Sequence, residues 1–85
     1  MLFRSGVNSN SAALAQILNK NYAKAAQTLK QVANPDGITD YLQAIVSMRL
    51  GNREAATTFL RSALQKEPSL RQSAESDLEL KDILL

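Results

Sequence analysis

The sequence of 85 residues contains no cysteine and no histidine. Without thiol or imidazole groups it cannot form disulfides, a cysteine nucleophile, a Ser-His-Asp triad or a zinc-finger type of metal site. Its three glycines are isolated, so no glycine-rich loop is available to hold a phosphate. We therefore expect no catalytic residues, no bound metal and no cofactor, and stability must come from apolar packing.

Long apolar runs are also missing. Apolar residues occur in short groups, and none approaches the roughly 20 residues that cross a bilayer. Residues 1–6 lack an extended apolar stretch followed by a small-residue cleavage site, so they do not form a signal peptide. We expect one soluble domain over residues 1–85 without direct membrane insertion. Its compartment stays open: cytoplasmic, or periplasmic if the parent protein carries a signal sequence.

Acidic residues are absent from the first part of the chain. Residues 1–35 carry four cations and no acid, whereas the rest carries six cations and eight acids. This asymmetry indicates either a polar binding surface or ordinary solvated helix faces, and both interpretations remain open. Nucleic-acid binding is disfavoured because the cations are spread out, the aromatics number only four and the end is acidic.

The clearest positive feature is an internal repeat with a period of 31 residues. A period of this size is typical of helical-hairpin repeats, whose units must stack to bury their apolar faces. The matching places are Asn21 and Asn52, Ala25 and Ala56, Leu29 and Leu60, Val32 and Ala63, and Ala13-Leu14 and Ala44-Ile45.

Apolar spacings of three and four residues predict about five helices. Ser9 or Asn10 is expected to cap the first, which runs to about Asn19. Asn21 is then expected to cap the second, whose apolar stripe continues to Ala33. The very short connection predicts an antiparallel helical hairpin.

The second half repeats this arrangement. Asn34 as N-cap and Pro35 as first helical residue are predicted to start the third helix, with Gly37 in a loose first turn and the regular helix, whose apolar stripe includes Ile38, beginning nearer Ile38. That helix should end at Gly51, which suits a left-handed backbone, and Asn52 should cap the fourth. A last helix is expected from about Pro68 into the early 80s with a kink near Ser76-Asp77, and its stripe comprises Leu70, Ala74 and Leu78.

From Gly37 to Pro68 the spacing resembles a tetratricopeptide repeat. The family's signature places are occupied here by Tyr41-Leu42, Ala44, Leu50-Gly51-Asn52, Ala56, Leu60, Ala63 and Pro68. Small residues where paired helices cross let the helix axes approach to about 8–10 Å. The preceding unit departs from the pattern, because Lys20 replaces the turn glycine and the connection to the next unit is three residues short of the family's roughly 34-residue period.

The resemblance implies an all-α fold of antiparallel helical hairpins stacked as a short tetratricopeptide-like superhelix. Repeat one would span about residues 9–34, repeat two about 35–68 and a capping helix about 68–83. The residues expected to pack the repeats are Ala13, Ala25, Leu29, Ala44, Gly51, Ala56, Leu60, Ala63 and Pro68. In this family the first helix of each unit lines a concave groove, which gives the candidate partner-binding residues Asn10, Leu14, Tyr41, Ile45 and Arg49, with Ile17, Leu18 and Met48 beside them.

The function expected from the resemblance is a non-catalytic interaction or scaffolding module that binds a peptide or another protein on this concave face. The alternative is a structural end-cap or self-association module, a homo-oligomer included, of a larger bacterial envelope or assembly protein. Some members of the family hold acidic peptide tails with a set of Lys, Asn and Arg side chains. The resemblance does not allow this full set to be assigned to residues of this sequence. Asp36 and Asp40 are predicted to be exposed surface groups without a catalytic role.

Overall fold

The structure, a computed structural model, describes residues 9–83, apart from the side chains of Leu78 and Glu79. The described part of the chain is all-α and contains no strand. Predictions that concern residues 1–8, the last two residues or the Leu78 side chain lie outside it. The helices are α1 (Asn10–Leu18), α2 (Tyr22–Lys30), α3 (Gly37–Arg49), α4 (Arg53–Lys66), α5 (Leu70–Ser76) and α6 (Leu78–Lys81).

The first hairpin joins α1 to α2 through a three-residue turn. Ser9 caps α1, because its side-chain oxygen accepts a hydrogen bond from the Ala12 N–H at 3.1 Å. Lys20 lies in the turn with φ 62°, a left-handed backbone that glycine adopts more easily. The expected continuation of the second helix to Ala33 is wrong: α2 ends at Lys30.

The start of α3 also differs from the expectation. Asp36, not Asn34, is the N-cap, and its carboxylate accepts a hydrogen bond from the Thr39 N–H at 2.9 Å. The Thr39 hydroxyl in turn accepts from the Asp36 N–H at 3.1 Å, which completes a capping box. Pro35 therefore lies before the helix. Because the reciprocal hydrogen bonds form between Asp36 and Thr39, α3 begins two residues later than the Asn34-Pro35 signal indicates.

Gly37 is a regular helical residue and not part of a loose turn. It is buried, and a Cβ placed there would lie 2.7 Å from the Glu67 Cβ and 3.3 Å from the Ala63 carbonyl oxygen. The first turn of α3 thus approaches the end of α4 closely, and only glycine leaves room for that approach.

The second hairpin joins α3 to α4 through a turn that contains Gly51, with φ 83°. The Asn52 N–H donates to the Ser47 carbonyl at 2.8 Å, which closes the end of α3 as in a Schellman motif. Asn52 then caps α4 by accepting from the Ala55 N–H at 3.1 Å. The predicted glycine turn and the predicted asparagine cap are both present.

The C-terminal segment consists of two short helices. α5 begins at Leu70, two residues after the expected start, and ends before Asp77, whose backbone is extended. The Asp77 side chain then accepts a hydrogen bond from the Leu80 N–H at 3.2 Å in the first turn of α6. The break therefore falls where the kink is predicted.

α3 is the central helix, and its two sides belong to two apolar clusters. Leu42 and Val46 pack against α1 and α2, whereas Ala44 packs against α4 and the C-terminal segment. The first cluster contains Ala13, Ala25, Leu29, Leu42 and Val46. The second contains Ala44, Ala56, Leu60, Ala74, Leu80 and Ile83.

The residues expected to pack the repeats divide into two groups. Gly51 and Pro68 are exposed and lie in connections. The other seven are buried in the helices: Ala13, Ala25, Leu29, Ala44, Ala56, Leu60 and Ala63. The small side chains of the alanines in this group leave space for close helix crossings, and the two leucines fill the core between the helices.

Candidate interaction face

The first helices of the two hairpins, α1 and α3, lie side by side and in the same direction. At their starts the Thr39 hydroxyl donates to Asn10 Oδ1 at 2.7 Å, and the Asn10 amide donates to Asp36 at 3.2 Å. Further along, Ile17 of α1 and Ile45 of α3 pack on the same apolar cluster. The two helices thus form one continuous surface.

Large apolar side chains are exposed on this surface. Leu14 is 46% exposed, Leu18 74% and Ile38 39%. Leu14 and Leu18 are one turn apart on α1, and Ile38, Tyr41 and Ile45 follow the helical spacing of three and four on α3. We call these five residues the α1/α3 face.

The predicted groove residue Asn10 has internal hydrogen-bond partners. Its side chain connects the first turn of α1 to the capping box of α3, where it contacts both Asp36 and Thr39. Since its amide and carbonyl are both used in these contacts, the structure places it as a positioning residue between the two helices.

The predicted groove residue Arg49 also has an internal contact. Its guanidinium lies over the Tyr22 ring, 5.8 Å from the ring centre, so it joins the end of α3 to the start of α2. The structure therefore places Arg49 at the boundary between the hairpins, although the side chain remains exposed.

Tyr41, Ile45 and Met48 are half-buried and pack against the cluster shared with α4 and the C-terminal segment. Burial raises the pKa of the Tyr41 phenol, and the nearby Asp77 carboxylate raises that pKa further. Tyr41 therefore stays neutral at physiological pH, with an apolar ring and a polar tip that suit a binding surface.

Ile38 belongs to this face but is missing from the candidate residues named from the sequence. The signal was present, because Ile38 precedes Tyr41 by three residues and Ile45 by seven. It is missing because the groove positions that the tetratricopeptide resemblance gives for the third helix begin at Tyr41.

The prediction that Asp40 is an exposed surface group is wrong. Asp40 is 8% exposed and lies between α3 and α4. Its carboxylate accepts a hydrogen bond from the Ser62 hydroxyl at 2.8 Å and forms an ion pair with Lys66 at 2.9 Å. The carboxylate is buried with its counter-charge supplied, which makes it a structural anchor of the second hairpin.

An open cleft of about 340 Å³ lies beside this anchor. It is lined by Asp36, Gly37, Ile38, Lys66 and Glu67. Hydrogen bonds from the Thr39 backbone and hydroxyl, the largest of several causes, lower the pKa of Asp36, so this carboxylate is ionised at neutral pH. With one cation and two acids, the cleft has no strong preference for ligand charge.

Charge is compensated differently in the two hairpins. Lys20, Lys24 and Lys30 are exposed, and none forms an ion pair within residues 9–83. Elsewhere, Lys66 pairs with Asp40, and Arg53 approaches Asp82 at 3.9 Å. The first hairpin therefore presents uncompensated positive charge.

The described residues contain no group of three or more acidic, histidine or cysteine side chains that could hold a metal ion. No described helix combines the length and the apolar character needed to cross a membrane.

Comparisons with family models, with characterised proteins and with solved structures give no match. The class of protein that the fold defines is thus an all-α stack of short helices, and the resemblance to tetratricopeptide repeats rests on the spacing of residues in the sequence.

Proposed function

We propose that this chain is a non-catalytic interaction module that binds a peptide or a partner protein on the α1/α3 face. One observation carries the proposal: Leu14, Leu18 and Ile38 are exposed on the helices that the tetratricopeptide resemblance assigns to a groove. Apolar side chains that are exposed together on one surface are typical of binding sites, whereas single exposed apolar residues are ordinary.

The half-buried residues of this face support the same function. Tyr41 and Ile45 are fixed by packing against the core, so they would lose little side-chain entropy when a partner covers them. Asn10 keeps α1 and α3 aligned beneath the partner through its hydrogen bonds to Asp36 and Thr39. A partner would therefore meet a largely preformed surface.

The test uses peptides selected on the purified chain from a displayed random library. Leu14→Asp and Ile38→Asp should each weaken binding at least tenfold, because each places a charge inside the apolar contact. Leu50→Asp is the matched control, since Leu50 is 52% exposed but lies in the α3–α4 turn. If all three variants bind equally well while remaining helical, the α1/α3 face is not the binding site.

A structural end-cap is the second candidate function. It is favoured by the C-terminal segment, in which Ala74, Leu80 and Ile83 are buried while Arg71 and Glu75 are exposed. A polar outer surface over an apolar inner one is what a terminal unit of a helical stack requires. If the chain is an end-cap, neither the unmodified chain nor the Leu14→Asp variant would bind a library peptide. The role of the chain would then be seen only when it is joined to the longer helical stack that it caps.

A further inference from the structure

The exposed apolar part of the α1/α3 face is small. α1 has nine residues, so the helix that carries Leu14 and Leu18 is about 14 Å long at 1.5 Å per residue. Ile38 adds one exposed apolar side chain from α3, while Tyr41 and Ile45 are half-buried. A stable contact between two folded proteins takes about 20–30 residues from each side. The face therefore suits a short peptide segment better than a second folded domain.

The described chain begins at one end of this face. Ser9 caps α1, and the next residue, Asn10, accepts a hydrogen bond from the Thr39 hydroxyl. Ile38 is the neighbour of Thr39 in sequence, so it lies level with the first turn of α1. Leu18 is at the other end of the face, about 12 Å further along α1 at 1.5 Å per residue. Ser9 is thus at the Ile38 end.

Residues 1–8 precede the described part of the chain and are partly apolar. They contain Leu2, Phe3 and Val7 and no acid. In an extended chain alternate residues lie on the same side, so Phe3 and Val7 would share one side, about 13 Å apart at 3.3 Å per residue. This spacing is close to the distance of about 12 Å between the two ends of the face. The sequence next to the face therefore carries two apolar groups at a matching separation.

We propose that residues 2–8 of this chain bind its own α1/α3 face, with Val7 at the Ile38 end and the Phe3 ring at the other end. We call these residues the tethered segment. Five residues separate Phe3 from Ser9, and a tether of that length gives an effective concentration on the order of millimolar. The regulatory consequence rests on the proposed function: a partner peptide must displace the tethered segment before it can occupy the face.

The absence of tryptophan from the sequence gives a direct test. Phe3→Trp places a single tryptophan in the full chain, and tryptophan emission shifts to shorter wavelength when apolar side chains cover the ring. We expect this shift in the folded chain. Adding Leu18→Asp should return the emission to that of a solvent-exposed tryptophan, because the new charge disfavours apolar contact. Adding Leu50→Asp is the matched control and should leave the emission unchanged, since Leu50 is 52% exposed but lies in the α3–α4 turn.

The absence of cysteine allows a second test by cross-linking. Phe3→Cys with Leu18→Cys should form a disulfide under mild oxidation, whereas Phe3→Cys with Lys24→Cys should not. Lys24 is one turn of α2 from Thr28, whose hydroxyl donates to Gln16 Oε1 at 2.8 Å. Because Gln16 and Leu18 lie on opposite sides of α1, Lys24 is exposed on the side away from the face. Circular dichroism checks that all variants keep the helical content of the unmodified chain.

Competition with the library peptides tests the regulatory consequence. Phe3→Asp should raise the affinity for those peptides about threefold or more, because it releases the tethered segment from the face. Arg4→Gln is the matched control, since it makes the same change in net charge at a residue on the other side of an extended segment. We expect it to change the affinity by less than about twofold.

The outcomes separate this inference from the proposed function. A solvent-exposed emission of the Phe3→Trp chain that Leu18→Asp does not change overturns the inference. If library peptides bind through Leu14 and Ile38 but Phe3→Asp leaves their affinity unchanged, the proposed function stands and this inference fails. A covered tryptophan that Leu18→Asp exposes, with no library peptide bound even by the Phe3→Asp chain, supports the tethered segment and overturns the proposed function. A shift that grows with protein concentration, with dimers in sedimentation, overturns the inference in favour of a segment from a second copy.

Discussion

The two hairpins share one turn geometry but differ in how firmly they are anchored. Lys20 and Gly51 both have positive φ, and in each turn the following asparagine N–H donates to a carbonyl five residues back at 2.8 Å. Beyond the turn the similarity ends, because α1 and α2 have nine residues each whereas α3 and α4 have 13 and 14.

The added length gives the second hairpin contacts that the first lacks. Lys66 lies in the last turn of α4, where it reaches Asp40 in the first turn of α3. In the first hairpin the side-chain bond between helices joins two neutral groups, Thr28 and Gln16. The comparison teaches that a repeated sequence signature sets the turn and the crossing, while helix length sets how many contacts secure the pair.

Leucine truncation should produce the largest effects. Leu29 and Leu60 occupy equivalent places and are almost completely buried. Each change to alanine should cost about 2–5 kcal/mol, the range for such cavities. Leu60→Ala should be the costlier because its cluster also contains Ala74 and Leu80 from the C-terminal segment. Urea unfolding measures both, and a larger loss for Leu29→Ala would show that the first hairpin is the more firmly packed.

Removal of the Asp40 charge should have the next largest effect on stability. Asp40→Asn removes the charge that Lys66 and Ser62 contact, and we expect a loss of about 1–2 kcal/mol in the free energy of unfolding. Glu75→Gln is the control, because its pair with Arg71 is exposed and should contribute less than about 0.5 kcal/mol. Equal effects of the two changes would mean that Asp40 is not an anchor.

Exchanging the two turn residues should give effects of opposite sign. Gly51→Lys should destabilise the chain by about 1 kcal/mol, since a side chain disfavours positive φ. No atom lies within 4 Å of a Cβ at Gly51, so this cost comes from the backbone alone. Lys20→Gly should stabilise by about 0.5 kcal/mol, partly offset by the freedom of glycine in the unfolded chain. Thermal unfolding that moves in the same direction for both variants would contradict the shared geometry.

The two asparagines that precede α2 and α4 should also differ in how much they stabilise the fold. Asn52→Ala removes the hydrogen bond to the Ala55 N–H and should cost about 1 kcal/mol. The Asn21 side chain makes no capping hydrogen bond, so Asn21→Ala should change the free energy of unfolding by less than about 0.3 kcal/mol. Chemical denaturation of the two alanine variants measures the difference, and similar losses would show that both caps act in solution.

The smallest effect concerns pH at the junction between the hairpins. The pKa of Asp36 is lowered in the folded state, so its contribution to stability is present above the unfolded value, near 3.8, and is lost as pH falls through the folded pKa. Asp36→Asn keeps a capping side chain but removes the titration. The free energy of unfolding, measured from pH 6 to pH 2.5, should therefore fall less at low pH for the variant than for the unmodified chain. Identical pH profiles would show that the Asp36 carboxylate does not contribute to stability in this way.

Much of the fold follows from local pattern. The helical spacing, the left-handed turn at Gly51, the cap at Asn52 and the break at Asp77 depend on residues close in sequence. The sequence offered two starts for α3, Pro35 and Ile38, and the helix begins between them at Gly37 because the Asp36–Thr39 capping box fixes its first residue. The end of α2 was predicted late because Val32 continues the apolar spacing although it lies beyond the helix.

The candidate face was only partly predictable for a different reason. Leu14 and Tyr41 were placed on it from spacing within single helices. Nothing in the local pattern indicates that Asn10 bonds to Thr39 or that Arg49 lies over Tyr22, since each contact joins residues at least 26 positions apart. Such contacts depend on how helices pack and not on the pattern within one helix.

The sequence by itself determined the helical class, the two hairpins and the small residues at their crossings, because periodic apolar spacing and turn residues act over a few positions. Only the tertiary structure decided that Asp40 is buried with Lys66, that Gly37 is required by Glu67, and which leucines remain uncovered. Burial and ion pairing depend on the neighbours that distant segments supply, and those neighbours exist only once the helices have packed.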